Sequence, residues 1–400
     1  MSRNVKVVIS CLCGAAKQTV VLRTNESTSG PLGVDLCHCY DCRHSSGLLC
    51  VSYAPTQVPR SLDNLVAYPD ESAQPSATTP RRYFCGVCGC HMFRYSAVGD
   101  GEIDKSWEVA TGTIIGRAGV DDELAQVDDG KEEPLLRYAR HVNADSTNDG
   151  GLSPFIKLIE GTEPFEEGWI NESRGGDSKG ILEAHCHCKT VRFYITRPDA
   201  SSRLPRSGFS DLIVPGATSP REAVDNPRDE KWWLRPQSQD NPDLTRYMAG
   251  TCACQSCQLA AGFEIQTWAF VPRSNIFFQP PAAAASSSSS SSFSDALPLD
   301  FPTLRQTYSP LRTYESSPGV FREFCPRCGA SVFWHDRWRP GLIDVSVGLL
   351  TADEGARAES WLDWWRGRVS FQEDAGNGRV GGVARWGKDV VETLAEGLRG

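Results

Sequence analysis

The sequence predicts a mainly β protein made of two tandem units, each tied together by metal. Three observations predict it. Most of its sixteen cysteines fall into one order that is used twice, short β-branched runs lie between them, and helical patterns are few. Four hundred residues also exceed one ordinary core, so two domains are expected from length alone.

The first pass opens on "NVKVVIS" and "AKQTVVLRT", alternating β-branched runs that read as strands. Between them "CLCG" carries Cys11 and Cys13. Residues two apart on a strand share a face, so both thiolates point one way. "CHCYDC" follows with Cys37, Cys39 and Cys42, and then "RYFCGVCG" with Cys85 and Cys88. The second pass runs "CHCK" (Cys186, Cys188), the strand "TVRFYIT", "CACQSC" (Cys252, Cys254, Cys257), the strand "FEIQTWAFV", and "REFCPRCG" (Cys325, Cys328). The strand pattern "LIDVSVGLL" comes next, and "KDVVETLAEGL" near the end is the clearest helix. Its Val390, Val391 and Leu394 fall at helical spacing.

The likeness extends between the cysteines. Gly47 matches Gly262, "VPRS" recurs at Val58–Ser61 and Val271–Ser274, "HMFRY" parallels "SVFWH", and "WEVATGTII" parallels "IDVSVGLL". A duplicated domain is therefore expected, with residues 1–170 and 181–400 as units and 171–180 as a glycine-rich linker. The second unit carries two long insertions, at about 197–246 and about 280–298. The first is rich in proline and charge. The second holds a serine run that cannot bury a core and is expected to be disordered.

Composition narrows the function classes. A net charge of −9 argues against nucleic acid or an anionic membrane as the main partner. No apolar run approaches the roughly 20 residues that span a bilayer, and the start lacks a secretory pattern. A soluble, cytoplasmic protein is expected, with the nucleus as the other compartment open to it. A reducing compartment disfavours disulfides, so clustered cysteines read as metal ligands.

Two kinds of cluster result. The outer pairs Cys11, Cys13, Cys85 and Cys88 form a four-sulfur set, as do Cys186, Cys188, Cys325 and Cys328. Closed sets of that kind hold structural zinc and contribute to folding. The triplets Cys37, Cys39, Cys42 and Cys252, Cys254, Cys257 have no fourth ligand common to both passes, since His38 faces Ala253 and His44 faces Leu259. Three thiolates and one open position are what a catalytic zinc requires. A distant group closing the triplet, or three plain thiols, are the alternatives. Cys50 and Cys90 lie outside the repeat and read as small buried residues, while His335 and "WLDWWRGR" read as packing and surface.

The order C-x-C-G, C-H-C-x-x-C, R-x-F-C-x-x-C-G resembles the glutathione-dependent formaldehyde-activating enzyme family, which includes centromere protein V. The resemblance covers most of both halves. It implies a β-tent fold, a structural zinc on each outer set and a second zinc on each triplet, four Zn²⁺ per chain in all. It also implies a carbon–sulfur lyase acting on adducts of an aldehyde such as formaldehyde with glutathione or another small thiol, with the six triplet cysteines as catalytic residues. Lys189 stands where the motif has glycine, and Ala253 where it has histidine. A non-catalytic zinc-stabilised interaction module is the alternative reading. A third reading, a methionine sulfoxide reductase, needs a nucleophilic cysteine outside the metal sets, and only Cys50 and Cys90 are available.

Overall fold

A computed structural model describes residues 4–23, 30–70, 72, 80–97, 105–125, 132–157, 180–236, 245–279, 296–307 and 309–400. The expected linker, apart from Gly180, and most of the serine-rich insertion lie outside those residues.

The alternating runs form strands as expected. Val5–Ile9 pairs antiparallel with Gln18–Leu22, with Val7 opposite Val20, and the C-x-C motif sits in the connection. In the second half Ile181–His185 pairs antiparallel with Arg192–Thr196 around Cys186 and Cys188. Gly14 takes φ +77° after the first motif, and Lys189 takes the same left-handed region at φ +58°. The lysine thus adopts the turn that its sequence position assigned to glycine.

Each triplet is built by the same three pieces. A strand ends on the first cysteine (Leu32–Cys37, Arg246–Cys252), a seven-residue helix follows (Tyr40–Ser46, Gln255–Ala261), and a second strand leads away (Val51–Thr56, Gln266–Pro272). The C-x-x-C turns join Arg81–Cys85 to His91–Ala97 and Val320–Phe324 to Ser331–Asp336. Those strands continue the sheets into Lys105–Ala110 and Leu342–Ser346. The registers match across the halves: Arg82 lies opposite Arg94 as Arg322 lies opposite Trp334. Likewise Pro55 lies opposite Glu108 as Phe270 lies opposite Asp344.

The halves grip one another reciprocally. Leu12 donates its N–H to the Leu259 carbonyl at 3.0 Å, and His187 donates to the His44 carbonyl at 2.8 Å. Each C-x-C motif is therefore bonded to the triplet helix of the other half. The C-terminal helix runs Gly381–Arg399 and packs on Ile114–Arg117 and Leu136–Val142 of the first half. Its buried stripe includes Trp386, Val390, Val391, Leu394 and Leu398.

The proline- and charge-rich insertion is more ordered than its composition suggests. Within it Leu212, Trp232 and Trp233 are fully buried, and the Trp232 and Trp233 indole N–H groups donate to the Gly208 and Ser202 carbonyls. Three large apolar residues outweigh a polar composition because each contributes on the order of 2 kcal/mol of burial. Among the described residues no helix is long and apolar enough to cross a membrane.

Candidate metal centres

The structure brings all fourteen repeat cysteines into the four expected groups: Cys11, Cys13, Cys85, Cys88; Cys186, Cys188, Cys325, Cys328; Cys37, Cys39, Cys42; and Cys252, Cys254, Cys257. In each group the sulfurs lie within 4.8 Å of one another. All sixteen cysteines are free thiols, so no disulfide framework is present.

Backbone turns set the four-sulfur groups. Gly89 N–H donates to Cys85 O at 2.9 Å and Gly329 N–H to Cys325 O at 3.0 Å, each glycine taking a left-handed φ that closes the C-x-x-C turn. A backbone N–H also points at the first cysteine of each set, from Ala16 to Cys11 Sγ (3.4 Å) and from Val191 to Cys186 Sγ (3.3 Å). Neighbouring sulfurs stand 3.5 Å apart in the first set and 3.4–3.7 Å apart in the second. Four sulfurs about 2.3 Å from a common zinc would be about 3.8 Å apart. The donor sets fit a tetrahedral zinc in chemistry and in spacing.

The triplets are held by helix capping. Cys39 is the N-cap of Tyr40–Ser46 and its sulfur accepts from Cys42 N–H at 3.4 Å; Cys254 does the same for Gln255–Ala261, accepting from Cys257 N–H at 3.3 Å. A left-handed glycine, Gly47 or Gly262, ends each helix. The capping interaction thus turns the last two cysteines toward the first. Among the described residues no fourth His, Cys, Asp or Glu joins either triplet. His38 is engaged by His141 (Nε2 to Nδ1, 2.8 Å), and burial pushes its pKa down to about 3. His44 Nδ1 lies 2.8 Å from the His185 carbonyl.

Sequence reasoning missed a guanidinium at each triplet. Arg82 donates to Cys42 Sγ at 3.7 Å, and Arg322 to Cys257 Sγ at 3.5 Å. Both arginines are buried. Hydrogen bonds from the other two thiols of each triplet, with the arginine charge added, hold the third thiol well below its ordinary range against the cost of burial. The signal was present as the arginine of R-x-F-C in both passes, but only the strand register shows where its side chain lies.

The two triplets differ in what stands over them. In the second half a cavity of about 710 Å³ opens onto Cys252, Cys254 and Cys257. Trp268, Phe270 and Trp334 wall it from the sheet, and Trp232 walls it from the insertion. Asp344 also lines it, donated to by Arg339 at 2.7 Å, and burial raises the Asp344 pKa to about 7. In the first half the position of Trp334 is taken by Arg94. Its guanidinium sits 4.7 Å over the Tyr53 ring and forms two bonds with Glu108, at 2.6 and 2.8 Å.

Residues 6–124 match the family described as glutathione-dependent formaldehyde-activating enzyme. The first unit carries the match, which spans its seven repeat cysteines from Cys11 to Cys88. Its fold is mainly β, the β-tent class expected from the motifs. No curated protein and no solved structure matches the chain. Cys50 and Cys90 are fully buried, and burial raises both thiols well above their ordinary range. Reactive cysteines need the opposite environment, so neither suits the nucleophile of a reductase.

Proposed function

We propose that the chain is a zinc-dependent carbon–sulfur lyase-type enzyme that makes and breaks adducts of a small thiol, such as glutathione, with an aldehyde such as formaldehyde. The observation that carries this reading is the pair of three-cysteine sites, each with a buried arginine and without a fourth protein ligand among the described residues. The family match of the first unit supports it, and the second unit is read as a domain of the same kind.

The thiolates of each triplet would hold one zinc ion and those of each outer set another. A zinc held by a triplet lowers the pKa of a further thiol and polarises a carbonyl. The chain's own residues then serve binding and proton movement. Arg82 and Arg322 neutralise part of the thiolate charge and fix the third cysteine. In the second unit Asp344 lies in the cavity with a pKa near neutrality, suited to carrying a proton. In adduct formation the thiol releases its proton to solvent, its sulfur bonds to the aldehyde carbon as the C=O π bond opens, and protonated Asp344 gives a proton to the resulting oxygen before being reprotonated from solvent. Cleavage runs the same steps backward, with the Asp344 carboxylate taking the hydroxyl proton as the C–S bond breaks. The net charge of −9 agrees with a small-molecule substrate rather than a nucleic acid.

The test joins metal counting to exchange. Native mass spectrometry is expected to find four zinc ions, one per cluster. NMR exchange between glutathione and formaldehyde is expected to accelerate with the protein present, and Cys42→Ser in the first unit is expected to remove one ion and most of that acceleration. Two ions per chain, or unchanged exchange at high protein concentration, would show the reading to be wrong.

A further inference from the structure

We infer that the second unit's cavity selects thiol or aldehyde partners bearing a flat aromatic or apolar group, and that Trp334 together with the insertion wall sets this choice. The inference rests on the reading of the triplets as thiol-handling sites and narrows their substrate class.

The shape argument comes first. The walls over Cys252, Cys254 and Cys257 carry aromatic side chains from two sources, with the Arg339 guanidinium 4.7 Å over the Trp334 ring. Trp268, Phe270 and Trp334 come from the sheet. Trp232 comes from the insertion and packs edge-on to Phe270 with ring centroids 4.9 Å apart. Its indole N–H is already bound by Gly208 O at 2.8 Å, so it offers the cavity an apolar surface. The insertion is fixed in place rather than draped: Asp211 accepts from Arg368 (3.0 Å), from Gly216 N–H (2.7 Å) and from Phe371 N–H (2.6 Å). The wall therefore exists before any ligand arrives, which lowers the entropic cost of binding.

The charge argument points the same way. A peptide thiol with two carboxylates needs unpaired cations, yet the lining arginines are occupied. Arg221 faces Asp225 at 3.6 Å, Arg322 donates to Ser256 Oγ and Cys257 Sγ, and Arg339 serves Asp336 and Asp344. Three thiolates and four lining aspartates then make the site unfavourable for a polyanion. Stacking on indole and phenyl rings is the favourable interaction that remains. The first unit has Arg94 at the position of Trp334 and Pro55 at that of Phe270, so it lacks this wall.

The experiment uses the full-length, zinc-loaded protein and three probes: benzyl mercaptan, its oxygen analogue benzyl alcohol, and glutathione. Binding is followed by tryptophan fluorescence and by calorimetry, with zinc counted by native mass spectrometry. Benzyl mercaptan is expected to bind at least tenfold more tightly than glutathione. Trp334→Arg, which installs the first unit's residue, is expected to erase that preference with the zinc count unchanged. Trp334→Leu keeps apolar volume and serves if the arginine variant does not fold; it is expected to lose at least threefold. Equal binding of the alcohol and the thiol, both weakened at Trp334, would support aromatic selection while removing the thiol-handling reading. Glutathione binding as tightly as benzyl mercaptan, no binding of any probe, or affinity indifferent to both Trp334 variants would overturn the inference.

Discussion

At the scale of single residues, the same carboxylate position behaves differently in the two units. Glu108 is tied by a two-pronged bond to Arg94, whereas Asp344 lies deep beside the cavity with its pKa raised to about 7 by burial, against the lowering effect of Arg339. A raised carboxyl is protonated below that value and charged above it. If its carboxylate takes the hydroxyl proton in adduct cleavage, the cleavage rate must rise as pH passes upward through about 7. Asp344→Asn should flatten that step and lower the rate roughly a hundredfold, the usual scale of lost proton transfer. The sign for stability is the reverse. A carboxyl raised in the folded state favours folding below its unfolded value of 3.8, and that contribution is lost as pH rises through about 7. A pH–rate profile of wild type and Asp344→Asn, set beside their urea midpoints over the same range, checks both signs. A step near neutrality that survives in the asparagine variant would remove Asp344 from the chemistry.

At the scale of elements, the glycines that end the triplet helices do two jobs. Gly262 takes φ +78°, and a Cβ there would stand 2.3 Å from the His91 carbonyl oxygen of the other unit; for Gly47, at φ +84°, the clash is with the Ser331 carbonyl at 2.2 Å. Gly14 is left-handed too, at φ +77°, but has nothing within 4 Å. Gly14→Ala should therefore cost about 1 kcal/mol of backbone strain. Gly262→Ala must also push two backbones apart and should cost about 3 kcal/mol or more. Equal urea midpoints for the two variants would show that the close approach carries no weight. The Gly47–Gly262 match was legible in the sequence, as were the cysteine groups, because turn and metal chemistry are written into local spacing. The strands between them were legible from alternation. The roof of the cavity was not, since Trp232 and Asp211 sit in a stretch whose average composition is polar. Their partners, Phe270 and Arg368, are dozens of residues away or more. Arg82 and Arg322 fell between these cases: visible as repeated letters, silent until the sheet register placed them against a sulfur.

At the scale of the whole molecule, each unit's four-sulfur set lies against the other unit. Gly89, in the first C-x-x-C turn, leaves room for Phe324, and Gly329 leaves the same room for Phe84, with a Cβ falling 2.7 Å and 2.5 Å from the respective rings. Tyr68 of the first unit reaches His187 at 2.6 Å, and Arg312 of the second donates to Gly86 O at 2.7 Å. A buried pair, Glu264 with Arg379 at 2.7 Å, adds Tyr138 and Thr111 as further donors to the same carboxylate, so one cluster joins the first unit, the second triplet's strand region and the approach to the C-terminal helix. Removing one member of such a pair costs about 3–5 kcal/mol. Independent domains would melt separately, but units locked through their metal sets should melt together. Cys85→Ser tests this directly, because it breaks a metal set in the first unit while most tryptophans, among them Trp232, Trp233, Trp268 and Trp334, report on the second. The tryptophan-detected midpoint should fall by at least about 10 °C, in a single transition that coincides with zinc release. Second-half tryptophans that hold their wild-type midpoint while the first unit's zinc is lost would show two separable domains and break the argument for one cooperative molecule.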